Sequence, residues 1–193
     1  MDFVAFPKMP RMSREVIVTE KIDGTNAQIA IVELDGHELP APCIYQSGGL
    51  GLYAGSRTRW ITPADDNFGF AAWALEHAEE LVGLGVGRHF GEWWGRGIQR
   101  SYGLADRRFS LFNVHRWSDD AIRPACCHVV PILYRGIFTT DEVGRSLAHL
   151  AFSGSKAAPG FMRPEGVVVF HVAGNFGMKK TIEKDEEPKG ERR

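Results

Sequence analysis

Val16-Ile17-Val18-Thr19-Glu20-Lys21-Ile22-Asp23-Gly24-Thr25-Asn26-Ala27-Gln28-Ile29-Ala30-Ile31-Val32 is the stretch on which the reading of the fold rests. Val16–Glu20 alternates as a half-buried strand does, and Ala27–Val32 is a mainly apolar run. Lys21-Ile22-Asp23-Gly24 between them is a tight turn, so the reading is strand, sharp bend, strand. Working outward, Gly48 to Gly55 reads as a glycine-rich loop leading into Ser56-Arg57-Thr58-Arg59-Trp60. Asn67–Leu84 has apolar residues near helical spacing at Phe70, Trp73, Leu75, Ala78, Leu81 and Val82, and a glycine at 83 or 85 can end it. His89–Trp94, Phe109–Trp117 and Cys127–Leu133 read as strands. Thr140 and Asp141 can cap a second helix running to about Phe152, followed by a small, polar loop over Ser153–Gly160. Gly166–Val172 and Asn175–Ile182 form a hairpin pattern around Ala173-Gly174. Strands in runs, with helices between the groups, predict an α+β fold of mainly antiparallel sheets with flanking helices. No repeat or linker composition interrupts the chain, so residues 1–182 read as one domain, and the charged residues 183–193 as a disordered tail.

Composition narrows the function classes. Basic and acidic residues nearly balance, 23 against 24, which excludes the global positive field of a non-specific nucleic-acid binder. Any polyanion site must be local. Cys43, Cys126 and Cys127 have no metal-ligand spacing, and their odd number predicts a reduced, cytoplasmic protein. The first residues do not read as a signal peptide, and no apolar run approaches the ~20 residues that span a bilayer. The histidines form no zinc motif, and Gly48-Gly49-Leu50-Gly51 lacks the G-K-[ST] ending of a phosphate loop. Ser155-Lys156 reads as part of a flexible loop rather than as a catalytic dyad.

Lys21 carries the chemistry. Burial at the end of a strand is one way a lysine amine becomes nucleophilic near neutral pH, and Gly24 lets backbone approach a phosphate. Taken alone, the same residues also describe a hairpin turn with an exposed lysine. Arg57 alone could decorate a loop, a single strand glutamate is usually solvated, and Phe112 in an apolar strand is more often core than a base platform.

The ordered set is more specific than its parts. After Lys21-Ile22-Asp23-Gly24 come Ser56-Arg57, Phe90-Gly91-Glu92-Trp93-Trp94-Gly95, Phe109-Ser110-Leu111-Phe112-Asn113-Val114, Pro164-Glu165-Gly166-Val167-Val168 and Met178-Lys179-Lys180-Thr181. From residue 16 to 182 this resembles the motif series of the covalent nucleotidyltransferases: DNA ligases, RNA ligases and mRNA capping enzymes. Thr25-Asn26 after the glycine, and Gly95-Arg96-Gly97-Ile98-Gln99-Arg100-Ser101-Tyr102, resemble the RNA ligase 2 branch. The last motif departs from the usual K-x-K, with two adjacent lysines, of which Lys179 aligns more naturally.

The resemblance implies an adenylation domain of the ligase type and an ATP-dependent RNA ligase, an RNA-repair activity. Lys21 would take AMP from ATP, pass it to a 5′-phosphate, and a 3′-hydroxyl would displace AMP. It implies Mg2+ or Mn2+ held at Glu165 through water, and ribose at Glu92. Phe112 would stack on adenine, Glu20 would accept from the adenine amino group, Asn26 and Arg57 would help bind the nucleotide, and Lys179 or Lys180 would neutralise the α-phosphate. Arg59, Arg96 and Arg100 are the candidate RNA contacts, with Arg107 and Arg108 further out. The RNA could be a nicked duplex, single-strand ends or a hybrid, and no obligate protein partner is expected. Alternatives are a minimal ATP-dependent DNA ligase, disfavoured because only charged residues follow the last motif, and a degenerate nucleotide-binding module. The short stretch before Lys21 likewise disfavours NAD+ as the donor.

Overall fold

The computed structural model describes residues 1–34 and 42–186; residues 187–193 of the charged tail lie outside the described residues. In chain order the elements are β1 (Glu15–Lys21), β2 (Thr25–Glu33), β3 (Tyr45–Ser47), β4 (Leu50–Gly55), β5 (Trp60–Ile61), α1 (Phe70–Glu76), α2 (Ala78–Leu81), β6 (Gly87–Gly95), β7 (Arg107–Leu111), α3 (Val114–Trp117), β8 (Cys127–Val129), β9 (Ile132–Ile137), α4 (Thr140–Ser153), β10 (Gly166–His171) and β11 (Phe176–Thr181), with a 3-10 turn over Val82–Leu84 after α2. The fold is α+β with mainly antiparallel sheets, as the strand grouping predicts. The chain divides into two compact units, one of residues 1–21 and 131–193, the other of residues 22–130.

The first unit is a four-stranded sheet in the order β11-β10-β1-β9. Val16 and Val18 of β1 and Val167 and Val169 of β10 form its core with Leu150 of α4. The strand period of two puts Val16, Val18 and Glu20 on this core face, and Ile17, Thr19 and Lys21 on the other. Helix α4 starts one residue earlier than predicted: Thr139, not Thr140 or Asp141, is the cap, its hydroxyl accepting from the Glu142 N–H. The hairpin expected around Ala173-Gly174 forms as β10–β11. Of the charged tail, Asp185 is held by the Thr181 N–H at 2.8 Å.

The second unit is a seven-stranded sheet, β3-β4-β2-β6-β7-β8 with β5 on β4. Ala27, Ile29 and Ile31 of β2, with Leu52 and Ala54 of β4, bury one face against Phe70, Ala74 and Leu81. Four expectations change. Gly48 to Gly55 is a hairpin rather than a loop: Gly48 and Gly49 take φ of 58° and 77° in its turn. The single helix over Asn67–Leu84 is α1, α2 and a 3-10 turn, interrupted at His77 (φ −104°, ψ 20°). The strand over Phe109–Trp117 stops at Leu111, because Asn113 caps the short α3 by accepting from the Arg116 N–H. The run Cys127–Leu133 is also two strands, separated at Val130-Pro131: β8 pairs in parallel with β7, and β9 joins the other sheet beside β1. Among the described residues, no helix is long and apolar enough to cross a membrane.

Candidate active site

On the first unit, β1 ends at Lys21, whose ammonium donates to Glu165 Oε2 at 2.5 Å. Lys21 is the more open partner, with side chains 18% and 5% exposed respectively. Register then sorts the neighbours. Lys21 lies opposite Gly166, Thr19 opposite Val168, and Glu20 opposite Val167. Across the next pair, Val168 lies opposite Lys179 and Val167 opposite Lys180. Directly opposed residues share a face. Lys179 is therefore on the face of Lys21, and Lys180 on the face of Glu20, where its ammonium pairs with Asp185 at 3.2 Å. Gly166 permits the close packing at this end, since a Cβ there would lie 2.2 Å from the Lys180 carbonyl.

Glu20 is 1% exposed. Its carboxylate accepts from Ser155 Oγ at 2.6 Å and from the Lys156 and Ala157 N–H groups at 2.8 and 2.9 Å. Burial pushes its carboxyl above the usual range, and the bonds from Ser155, Ala157 and Lys156 oppose that. In this arrangement an adenine amino group has no access to Glu20. It holds the loop of residues 155–158 in place. That loop is the segment read as flexible; Ser155 is 3% exposed, and no residue signature announces it as the partner of Glu20.

On the second unit, Asn26 of β2 lies opposite Glu92 of β6, and Gln28 opposite Phe90. Glu92 is buried and accepts from the Gly24 N–H at 3.0 Å and from Asn26 Nδ2 at 3.1 Å. Phe112 is 42% exposed and its N–H donates to the Phe90 carbonyl at 2.9 Å, so it is a surface ring and not core. Phe90, which the sequence reading did not single out, is 52% exposed beside it. Trp93 and Trp94 are both buried. Gly24 is required in its turn, because a Cβ would lie 2.5 Å from the Trp93 carbonyl.

The arginines separate. Arg57 and Arg96 are exposed and have no side-chain hydrogen bond or ion pair among the described residues. Arg59 forms a two-point pair with Asp65, at 2.5 and 3.0 Å. Arg107 binds the carbonyls of Arg96 and Phe68, and Arg108 pairs with Asp106. Arg100, read as a nucleic-acid contact, has its Nε on Asp23 Oδ2 at 3.0 Å. Tyr102, which ends the Gly95–Tyr102 run but has no role assigned from sequence, accepts from the Asp23 N–H at 2.8 Å. Among the described residues, no group of three or more His, Cys, Asp or Glu side chains could hold a metal ion. Glu165 is a single carboxylate, a donor set suited to a hydrated divalent cation that takes its other ligands from water and phosphate.

The sequence model of the family described as RNA ligase matches residues 14–184. No curated protein matches the chain. Among solved structures, an apo mutant of Naegleria gruberi RNA ligase is similar, at 19% identity and a TM-score of 0.55, over 88% of this chain and 50% of that one. A mutant of the same ligase with ATP and Mn gives 20% identity and a TM-score of 0.58, again over 88% and 50%. Another, with AMP and Mn, gives 19% and 0.56 over 87% and 49%. At these identities the likeness is one of fold. This chain spans about half the length of the solved structures it matches.

Proposed function

This chain belongs to the RNA ligase family, and from that premise we propose that it is a cytoplasmic, ATP-dependent ligase of the RNA ligase 2 type that joins 5′-phosphate and 3′-hydroxyl ends through a covalent lysyl-AMP on Lys21. The observation that carries the reading is the end of β1, where the Lys21 amine meets Glu165 at 2.5 Å and Lys179 shares its face of the sheet. ATP and Mn in the similar Naegleria ligase support ATP as co-substrate and a divalent cation as its companion. The free state of Cys43, Cys126 and Cys127 accords with a reducing compartment.

The reaction makes definite demands on these residues. The Lys21 nitrogen attacks the α-phosphorus, forming an N–P bond while the P–O bond to pyrophosphate breaks. Before that, the ammonium must lose a proton, and Glu165 Oε2 already accepts a hydrogen bond from it. Charge growing on the α-phosphate falls to Lys179, a type of contact worth about 3–4 kcal/mol when its donor is removed. Phe112 offers its exposed ring to adenine, Glu92 and Asn26 are assigned to ribose, and Arg57 to phosphate or ribose as a fork. A divalent cation, held through water at Glu165, would neutralise phosphate charge when bound. AMP then passes to the 5′-phosphate of the RNA, and the 3′-hydroxyl displaces it. Residues 1–182 are assigned to this adenylyltransferase domain.

The test is intact-mass measurement after incubation with ATP and Mg2+. One added AMP is expected, and its loss in Lys21→Ala with the fold retained. An adduct that persists in the mutant, or labelling by NAD+ and not by ATP, defeats the reading. Nicked RNA, DNA and hybrid duplexes offered to the adenylated protein then identify the substrate.

A further inference from the structure

The turn immediately after Lys21 is held from several directions by one loop and one strand. The Asp23 N–H donates to Tyr102 Oη at 2.8 Å, Asp23 Oδ2 accepts from Arg100 Nε at 3.0 Å, and the Gly24 N–H donates to Glu92 Oε1 at 3.0 Å. Tyr102 is 2% exposed and sets its ring edge-on to Trp94, with centroids 5.0 Å apart at 76°. Ile98, in the same loop, is fully buried.

The loop takes this form against its own backbone preferences. Gln99, Ser101 and Tyr102 have φ of 45°, 56° and 51°, a region that residues with a Cβ rarely adopt. Such conformations persist only where surrounding contacts over-determine them, and they cluster at functional sites. Here the contacts converge on Asp23, which is two residues along the chain from Lys21.

We propose that Arg100 and Tyr102 are positioning residues for adenylation: the strained loop fixes the Asp23-Gly24 backbone, and through the chain it fixes the direction in which the Lys21 amine is presented. This rests on the reading of Lys21 as the nucleophile. Neither residue touches ATP; each acts on the turn. The reactive amine sits on a long flexible stem, so a fixed backbone at its root reduces the search for in-line geometry at the α-phosphorus.

The experiment is single-turnover adenylation of the whole protein across an ATP series, with melting curves for each variant. Since misplacement by about 1 Å can cost roughly 10²-fold, Arg100→Ala should lower the maximal rate by about 10- to 100-fold. The ATP concentration for half-maximal rate should stay within about twofold of the parent, because the lost interaction orients the reaction and does not bind nucleotide. Arg100→Lys, which keeps a donor for Asp23, should recover most of the rate. Tyr102→Phe, which removes the hydroxyl that accepts from the Asp23 N–H, should lower the maximal rate severalfold. Parental rates in both Arg100→Ala and Tyr102→Phe overturn the proposal, as does a loss confined to half-saturation. If Arg100→Ala does not fold, Tyr102→Phe decides alone: a lowered maximal rate supports the proposal and a parental rate overturns it. A parent that forms no adduct at all defeats the assignment of Lys21 instead.

Discussion

Lys179 and Lys180 are one residue apart and on opposite faces of one strand. Their sequence is symmetric with respect to the question of which meets the phosphate. The answer requires the register of β11 on β10 and of β10 on β1, which no local pattern contains. The face shared with Lys21 is the observation that supports Lys179 as the proposed α-phosphate contact. Lys179→Ala is therefore expected to slow adenylation by about 10²–10³-fold, the usual effect of removing a transition-state donor, while Lys180→Ala stays near the parent. Adenylation rates of the two variants measured side by side check this, and the reverse order refutes it. Glu20 shows the same limit from the other side. Its place next to Lys21 suggested a ligand contact, but alternation along β1 turns it onto the core face, where it secures residues 155–158. Burial holds its carboxyl above the ordinary 4.5. In the window between 4.5 and that raised value the folded protein binds more proton at Glu20 than the unfolded chain does, so this contribution is complete below about 4.5 and is lost as pH rises through the raised folded value. Urea unfolding over a pH series should show that decline in the parent. Glu20→Gln should flatten it; an unchanged slope would mean the ionisation of Glu20 is not coupled to folding.

At the scale of elements, the motifs were legible wherever a side chain had to be of one kind, and their boundaries were less so. β1, β2, β6, β10 and β11 follow from alternation and apolar runs. The helix over Asn67–Leu84 has one continuous apolar pattern, yet it breaks at His77, whose Nδ1 lies 3.0 Å from the Trp73 carbonyl. At its start the N-cap position is Gly69, which has no side-chain cap bond, and the Asp66 carboxylate from upstream accepts instead from the Ala71 and Ala72 N–H groups. α3 hides inside an apolar strand pattern because only Asn113, as its cap, distinguishes the two. The Asp23-Gly24 turn is the element most tightly specified by sequence. A Cβ at Gly24 would lie 2.5 Å from the Trp93 carbonyl and 2.7 Å from Trp94 Cβ, both on β6 and neither free to move cheaply. Gly24→Ala should therefore destabilise the protein by about 1–3 kcal/mol, the range for overpacked sites, and should shift the β6 side of the turn that carries Glu92. Chemical unfolding gives the first effect and the adenylation rate the second. A variant as stable and as fast as the parent would show that the turn relaxes freely.

For the molecule as a whole, two things escape a reading of composition. The first is the division into two compact units, which the chain crosses at Lys21–Ile22 and again at Val130–Pro131. Domain boundaries usually announce themselves by polar, flexible linkers, whereas these crossings lie next to a motif and inside an apolar run. The second is how few of the candidate arginines keep a side chain without a partner among the described residues. The net charge of −1 predicted a local footprint, and the side-chain pairing reduces it further. Arg59 is engaged by Asp65, Arg100 by Asp23 and Arg108 by Asp106, which leaves Arg57 and Arg96 as exposed members of the original set without a side-chain partner among the described residues. If Arg57 serves the nucleotide, Arg96 is the principal RNA contact of this group. Each phosphate contact contributes a slope of about −0.7 to −0.9 to the dependence of log affinity on log salt, so two contacts lose roughly tenfold between about 50 and 200 mM. Lysine adenylation needs ATP and a divalent cation and engages no polynucleotide, so it should change little over that range. End sealing should fall with the shallow slope of a small footprint, and Arg96→Ala should reduce sealing and its salt slope together while leaving the lysyl-AMP yield intact. Parallel salt series of adduct formation and sealing, in the parent and in Arg96→Ala, measure all of this. If both steps decline together, or if Arg96→Ala loses adenylation as well, Arg96 serves the nucleotide site or the fold rather than the RNA.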